Sequence, residues 1–264
     1  MFQGGSFLDS TIILSTLIPF AGTALGAAAV FFLRKAVSDT LNRCMSGFAA
    51  GVMIAASVWS LLIPAIEQGN GAAKMIPVAG GFWIGILFLL LMDRLVPHIH
   101  PETMEKEGPA SKLKDQTMLL LAVTLHNVPE GMAVGALVAA SMAEGGGVPL
   151  GMLALAIGIA IQNAPEGAII SMPLHASGMS KSKAFLFGTL SGAVEPIAAW
   201  ITIALHAWIA PMLPWFLSSA AGAMMYVVVE ELIPEMACGK HSNWPAIAFG
   251  FGFTIMMILD IVMA

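Results

Sequence analysis

The sequence predicts an all-α polytopic membrane protein with eight transmembrane helices. Of its 264 residues, 58% are hydrophobic and 10% are charged, whereas soluble domains average about 25% charged residues. A hydrocarbon core about 30 Å thick needs about 20 consecutive apolar residues of helix, and a β-barrel would instead show alternating segments of about ten residues. The apolar runs, and therefore the predicted spans, are 11–33, 44–66, 76–95, 116–140, 149–174, 184–208, 212–237 and 244–263.

The whole chain, residues 1–264, is predicted to form a single transmembrane domain, because most connections between spans are short. The longest polar segment, at about 97–115, has mixed charges, proline and glycine, which predicts a mobile cytoplasmic loop. Basic residues accumulate in short cytoplasmic loops, and all of them except Lys74 lie in or beside the odd-numbered connections. Both termini are therefore expected outside the cytoplasm.

Spans one to three resemble spans six to eight. The matches are GTALGAA at 22–28 with GTLSGAV at 188–194, AAGVM at 49–53 with AAGAM at 220–224, and LIPAIE at 62–67 with LIPEMA at 232–237. The separation covers an odd number of helices, so matched helices run in opposite directions. This pattern predicts an inverted repeat around spans four and five, an architecture typical of transporters with a site near the bilayer midplane. Matches of small residues also arise from close helix packing alone.

Two adjacent spans carry the same polar motif near their centres, HNVPEG at 126–131 and QNAPEG at 162–167. Ionisable residues at this depth cost a few kcal/mol each on insertion scales and indicate a functional site by default. Pro129 and Pro165 each remove a helical N–H, which would weaken the hydrogen bonding of the carbonyl four residues earlier. A polar network that only joins helices is the alternative, but the duplication favours a site.

The spacing predicts a polar face on each of the two helices. His126 and Glu130 are four residues apart, so they share one face, and the second motif repeats this relation. The candidate ligands are His126, Asn127 and Glu130 in span four, Gln162, Asn163 and Glu166 in span five, Glu195 in span six and Met53 in span two. Imidazole, thioether, amide and carboxylate groups together favour a borderline transition metal over Mg²⁺ or Ca²⁺. Three carboxylates favour two ions over one, unless one carboxylate is protonated.

The motif pair HNVPEG and QNAPEG resembles that of the ZIP family of divalent metal transporters, in its bacterial GufA-like branch. The resemblance covers nearly the whole chain, including Glu195 in GAVEP. It implies import of divalent transition-metal cations into the cytoplasm, zinc foremost, with cadmium, iron and manganese as alternatives. It also implies a binuclear site, an elevator-type movement and a location in the bacterial plasma (inner) membrane.

The resemblance implies ligands by motif position. The first metal would be held by Met53, His126, Glu130, Gln162 and Glu166. The second would use Asn127, Asn163 and Glu195, with Glu130 and Glu166 bridging the two ions. Some relatives have aspartate where this chain has Asn163, so occupancy of the second position is open. No cofactor is implied, because the metal is bound as transported substrate.

Further polar residues are candidates for a pathway on either side of the site. They are Glu67 and Asp260 for an outer mouth, Glu230, Glu231 and His241 for an exit relay, and His98 and His100 for transfer or sensing in the cytoplasmic loop. The outer pair are equally interpretable as solvated helix ends, and the two loop histidines as residues without a role in metal transfer.

Two other functions stay open from the sequence. A metal-gated cation channel cannot be separated from a carrier. A membrane-embedded metallohydrolase is disfavoured, because the H-E-x-x-H motif needs two histidines four residues apart, and spans four and five offer only His126 near their centres. The chain is therefore not expected to be an enzyme. Membrane lipid and divalent metal ions are the expected partners, nucleic acid is not, and a homodimer stays open.

Overall fold

Eight membrane-spanning segments make up most of the described part of the chain. The computed structural model describes residues 10–32, 38–68, 72–99, 106–143 and 150–263. Within these ranges, eight segments are long and apolar enough to cross a membrane, which confirms the predicted class and number of spans. They are α1 (Ser10–Phe32), α2 (Asp39–Glu67), α3 (Ala72–Leu95), α4 (Gln116–Met142), α5 (Leu150–Ala176), α6 (Lys181–Ala204), α7 (His206–Ala237) and α8 (Trp244–Met263).

Several spans are interrupted or change helix type along their length, whereas α4, α5 and α8 are single α-helices. The composite spans are α1 (Ser10–Ala27 and Ala29–Phe32), α2 (Asp39–Ala56, a π-helical turn at Ser57–Leu62, and Ile63–Glu67), α3 (a 3₁₀ turn at Ala72–Lys74, then Met75–Leu95) and α6 (Lys181–Ser191 and Val194–Ala204). The last is α7, with His206–Ile209, a 3₁₀ turn at Ala210–Met212, Leu213–Val227, a π-helical turn at Val228–Leu232, and Ile233–Ala237. The helix of α4 itself covers Asp115–Ala143.

Four span boundaries differ from the prediction by four to six residues: α3 begins at Ala72 rather than at 76 and α7 at His206 rather than at 212, and the other two have a local cause. Helix α2 begins at Asp39 rather than at 44, because the Ser38 hydroxyl accepts a hydrogen bond from the Leu41 N–H at 3.3 Å. This contact is a helix N-cap. At the other difference, α6 ends at Ala204 rather than at 208, since Leu205 leaves the helical conformation. Local caps and single backbone angles, rather than hydrophobicity, decide both boundaries.

Contacts between helices follow the inverted repeat. Helix α1 packs along α5 and α4 along α6, while α2 packs along α8 and α7 along α3. The repeat relates α1, α2 and α3 to α6, α7 and α8, and it relates α4 to α5. Under this relation the contact between α1 and α5 corresponds to that between α6 and α4, and the contact between α2 and α8 corresponds to that between α7 and α3. The spans therefore form two bundles, bundle A with α1, α4, α5 and α6, and bundle B with α2, α3, α7 and α8.

Glycines allow these helices to touch backbone to backbone. In bundle A, a Cβ added at Gly26 would lie 1.8 Å from the carbonyl oxygen of Ala164. In bundle B, a Cβ added at Gly51 would lie 2.1 Å from the carbonyl oxygen of Phe249. Both distances are too short for any side chain, so the close packing requires small residues, as is usual between membrane helices.

The two π-helical turns lie at matching places in the repeat. Each is followed by a proline, Pro64 in α2 and Pro234 in α7. Proline cannot donate to the carbonyl four residues earlier and its ring clashes with that carbonyl, which favours a wider turn. Beyond the turns, Ile63–Glu67 packs on Leu213–Val227, and Ile233–Ala237 packs on Asp39–Ala56. The ends of α2 and α7 thus pack reciprocally.

The buried guanidinium of Arg43 fixes one of these contacts. Its Nε donates to the Met236 carbonyl at 3.1 Å and a terminal nitrogen donates to the Lys240 carbonyl at 2.7 Å. These carbonyls belong to the end of α7 and the residues after it, where helical donors run out. Arg43 therefore stabilises the packing of α2 against the end of α7. Its positive charge is a separate feature, and it is the one that predicted a cytoplasmic position.

Part of the predicted cytoplasmic loop is ordered into two short strands. Strand β1 (His98–Ile99) pairs antiparallel with β2 (Lys106–Glu107), with His98 opposite Glu107. His98 and Ile99 are both buried, and β1 packs on α4. His100, the other loop histidine of interest, lies outside the described residues. Mobility of the loop stays a prediction.

Candidate metal centre

The duplicated motif lies on two continuous helices. Both α4 and α5 pass through their motif prolines, Pro129 and Pro165, without a break. Helix α6 packs against α4, and the backbone at Gly131 is so close that an added Cβ would lie 2.2 Å from the carbonyl oxygen of Glu195. The motif glycine therefore allows the carboxylate-bearing turn of α6 to reach the polar face of α4.

The predicted ligands are almost all removed from solvent. The buried ones are Met53, His126, Asn127, Glu130, Gln162, Asn163 and Glu195, none of which is more than 6% exposed, and Glu166 is partly exposed. Charged and amide groups at this depth require partners, since an unpaired buried polar group costs about 1–3 kcal/mol.

Glu195 is the centre of one hydrogen-bond network. Its Oε1 accepts from the Thr23 hydroxyl of α1 at 3.1 Å and from the Asn127 amide of α4 at 3.1 Å. The same Asn127 amide nitrogen also donates to the Ser191 carbonyl at 3.3 Å. One carboxylate therefore joins three helices of bundle A.

Glu130 joins α4 to α5. Its Oε1 accepts a hydrogen bond from the Gln162 amide, and the Gln162 nitrogen lies 3.4 Å from Asn163 Oδ1. The Asn163 amide lies near the carboxylates of both Glu130 and Glu195, but its nitrogen is buried without a hydrogen-bond partner. The two networks therefore meet at Asn163, the position where the sequence has an amide in place of a carboxylate.

Four oxygens of these networks are left over. Each belongs to a residue whose other polar atom is already engaged, and in the described part of the chain each is buried without a hydrogen-bond partner: Asn127 Oδ1, Glu130 Oε2, Gln162 Oε1 and Glu195 Oε2. Oxygens of amides and carboxylates bind cations. A cation bound among them would satisfy atoms that the protein leaves unsatisfied.

The candidate ligands of this centre are of mixed chemical type. Among the residues that the structure describes, no group of three or more His, Cys, Asp or Glu side chains is arranged to hold a metal ion alone. Met53 is buried in the apolar cluster that also contains Leu155 and Ile159 of α5. The candidate ligands therefore combine carboxylates with amide and thioether groups.

His126 faces bundle B rather than Glu130. Its Nδ1 lies 3.1 Å from Glu231 Oε2 in the π-helical turn of α7. Glu166 interacts electrostatically with both of these residues. The two adjacent glutamates of α7 therefore differ in position: Glu231 is largely buried beside the site, whereas Glu230 is exposed.

An inner polar cluster continues from the end of α3. Asp93 is buried and accepts a hydrogen bond from the Tyr226 hydroxyl at 2.6 Å. His98 Nε2 lies 3.8 Å from Asp93 Oδ1 and 3.8 Å from Glu107 Oε2, and its Nδ1 contacts the Val96 carbonyl at 2.9 Å. His98 is therefore held between two carboxylates. His241, by contrast, is exposed.

The two residues expected at an outer mouth line one cavity. Its volume is about 460 Å³, and it is bordered by Glu67 and Ser60 of α2 and by Asp260 of α8. Ser60 donates to Asp260 Oδ1 at 2.5 Å, and Asp260 is buried while Glu67 is exposed. The cavity is therefore lined by one exposed carboxylate, that of Glu67, and one buried carboxylate, that of Asp260.

Sequence reasoning missed Thr23, Asp93 and Tyr226. Thr23 was present in the matched segment GTALGAA, where only its small neighbours were interpreted, and its repeat counterpart is Thr189 in GTLSGAV. A hydroxyl duplicated inside two apolar helices was a usable indication. Asp93 and Tyr226 had no such pattern, because their contact depends on the packing of α3 with α7.

The fold and the centre define a multi-pass membrane protein with a polar, carboxylate-rich site inside one helix bundle. The sequence model of the ZIP zinc transporter family matches residues 110–260. The chain belongs to this family, which confirms the resemblance, and the family consists of transporters rather than enzymes.

Similar proteins extend the match over nearly the whole chain. Zinc transporter GufA of Myxococcus xanthus is 36% identical over 91% of this chain and 94% of its own length. Zinc transporter ZIPB of Bordetella bronchiseptica is 36% identical over 94% of this chain and 80% of its own length. Human zinc transporter ZIP11 is 35% identical over 99% of both chains.

Thr23→Val is expected to weaken zinc binding about tenfold, because the carboxylate of Glu195 loses a hydrogen bond of the charge-assisted kind, worth about 1.5–3 kcal/mol. Isothermal titration of purified protein with zinc measures the change. The matched control is Thr202→Val in α6, whose hydroxyl donates only to the Ala198 carbonyl of its own helix. Equal affinities for the two variants would contradict a role for Thr23 in positioning Glu195.

Proposed function

We propose that this protein imports divalent transition-metal cations, zinc foremost, into the cytoplasm through the centre formed by α4, α5 and α6. The observation that carries the proposal is the set of four buried, unpartnered oxygens on Asn127, Glu130, Gln162 and Glu195. The names of the similar proteins, all zinc transporters, support zinc as the substrate. Cadmium, iron(II) and manganese share enough coordination chemistry to compete.

The ligand chemistry suits transport rather than permanent storage. Amide oxygens and a thioether are weaker ligands than thiolates, and conduction requires binding that is weak enough to allow release. His126 and Glu166 stand where the site meets Glu231 of bundle B. A metal leaving the carboxylates of bundle A therefore meets an acidic side chain of bundle B next.

The proposed route connects three polar regions. It begins at the outer cavity with Glu67 and Asp260, passes through the centre, and leaves along Glu231. Beyond Glu231, the pair Asp93 and His98 is the next group of potential ligands. The exposed Glu230 is not included in this route.

We propose two metal positions, as the resemblance implied. Glu130 and Glu195 both lie near Asn163, and Glu166 interacts electrostatically with both carboxylates. Two divalent cations would balance three carboxylates better than one. An amide at Asn163 lowers the negative charge at the second position, so that position is expected to be the weaker one.

An elevator-type movement fits the division into bundles. All predicted ligands except Met53 lie on α4, α5 and α6 of bundle A, which glycine contacts and the Glu195 network hold together. Movement of bundle A against bundle B would carry the ligands as one body. The contact between His126 and Glu231 would break and re-form during this movement.

Location and orientation follow from the relatives and from charge. GufA and ZIPB are bacterial proteins, which supports a bacterial plasma membrane. One side of the membrane is expected to hold the span ends that carry basic residues, namely Arg43, Lys181, Lys183 and Lys240. Positive residues favour the cytoplasmic side. Both termini are therefore proposed to lie outside.

The test of function is uptake of radiolabelled zinc into proteoliposomes, with cadmium, manganese and iron(II) as competitors. Wild-type protein is expected to give saturable uptake, and Glu166→Ala and His126→Ala should each abolish it or nearly so, because the centre loses a carboxylate or its imidazole. The controls are Asp39→Ala at the exposed start of α2 and His206→Ala at the start of α7. Normal uptake by both centre variants would refute transport through this site.

Asn163→Asp tests the second metal position. A third carboxylate between Glu130 and Glu195 should lower the unfolding temperature of the metal-free protein by like-charge repulsion, and zinc should raise it by more than in the wild type. Thermal unfolding with and without zinc, together with zinc stoichiometry, measures both effects. Asn42→Asp, beside Glu235, adds the same charge elsewhere and should leave the zinc response unchanged. An unaltered response in Asn163→Asp would argue against a ligand role.

Glu231→Gln tests the exit step. The variant keeps the shape of the side chain but removes its charge, so uptake should fall several-fold while zinc affinity of the centre changes little. Glu230→Gln is the matched control, because its side chain is exposed on the neighbouring position. If both variants transport zinc at the same rate, Glu231 has no special part in release.

A further inference from the structure

An apolar groove lies at the boundary between the two bundles, on the membrane-facing surface. Its volume is about 290 Å³, close to the lower limit of about 300 Å³ for small-molecule pockets. One wall is Pro129 and Met132 of α4, in bundle A. The other wall comes from α3 and α7 of bundle B: Ile84, Gly85, Phe88, Met212, Trp215, Phe216, Ser219, Ala220 and Ala223.

The groove opens towards the hydrocarbon of the bilayer. Ile84, Phe88 and Met212 at its edge are each 41–53% exposed, and all three belong to spans that cross the membrane. Ser219 is the one lining residue with a polar side chain other than the indole of Trp215. The surroundings and the lining are therefore both apolar, and water gains no hydrogen bonds by entering.

A groove of this kind does not stay empty in a membrane. Unfilled space forfeits the dispersion contacts of the atoms that line it, and protein interiors are packed with few voids. The flexible apolar molecule in contact with the opening is the acyl chain of a lipid. We propose that this groove is a binding site for one acyl chain of a membrane lipid, held between bundle A and bundle B.

The position gives such a chain a connection to the metal centre. Pro129 in the groove wall immediately precedes Glu130. A bound chain touches both bundles, so it stabilises the arrangement of bundles that forms the groove relative to any other. This consequence rests on the bundle movement proposed above, whereas binding of the chain does not.

Trp215 provides a direct measurement. In a single-tryptophan protein the other five tryptophans are replaced by phenylalanine, and the protein is reconstituted in bilayers of phosphatidylcholine with 9,10-dibromostearoyl chains, which quench indole fluorescence on contact. Trp215 is only partly exposed, with its ring against Gly80. A chain in the groove should nevertheless quench it as strongly as the single-tryptophan control at Trp83, which is 60% exposed on the surface of a membrane-spanning helix.

Variants that fill the groove distinguish a chain bound in it from lipid that contacts the protein surface transiently. Ser219→Leu fills it from α7, and Ile84→Phe fills it from the exposed edge, where added volume is tolerated. Each should reduce quenching of Trp215 by about twofold or more, since contact with the chain is lost, while quenching of Trp83 stays unchanged. Unreduced quenching of Trp215 in both variants, or no quenching of Trp215 in the parent, would overturn the proposal. The measurement requires no metal transport, so its failure is distinct from failure of zinc uptake.

Discussion

Burial of carboxylates inside a membrane protein is the constraint on which the rest of this structure depends. Glu130 and Glu195 are each 1% exposed, and a charge at this depth is tolerated only with partners. The partners of Glu195 come from α1 and α4, so these helices must approach α6 within hydrogen-bond distance, and the partner of Glu130 comes from α5, which must approach α4 in the same way. Glycines make that approach possible, and the compactness of bundle A is therefore a condition for its polar centre.

The same constraint explains why the protein satisfies only part of the hydrogen-bonding capacity of the centre. Asn127, Glu130, Gln162 and Glu195 each use one polar atom to hold a neighbour in place and leave an oxygen unengaged, whereas Asn163 leaves its amide nitrogen without a partner. A fully satisfied network would be more stable but would have no atoms left for a cation. Residual desolvation cost in the metal-free protein is thus linked to affinity for the substrate, because binding a cation removes that cost.

Sequence patterns predicted the features that depend on composition and periodicity. Apolar run length predicted the spans, whereas the four-residue spacing of His126 and Glu130 did not predict that His126 contacts Glu231 of bundle B. Thr23, Asp93 and Tyr226 escaped prediction, because their contacts join residues far apart in the chain and depend on which helices pack together. The start of α2 at Ser38 was missed for a local reason, since a single capping hydroxyl extends the helix beyond its apolar run. The ligand roles themselves are implied by the family resemblance.

The π-helical turns in α2 and α7 have a consequence for helical phase. Each turn contains an extra residue relative to an α-helix, and one residue corresponds to about 100° of rotation. Before its turn, α2 presents Gly51 to α8, and beyond it the segment Ile63–Glu67 packs on α7. Likewise, α7 presents Gly222 to α3 and, beyond its turn, Glu235 to Asn42 of α2. The phase shift lets each helix serve one neighbour with its first half and a different neighbour with its second, so two helices close bundle B at both membrane faces.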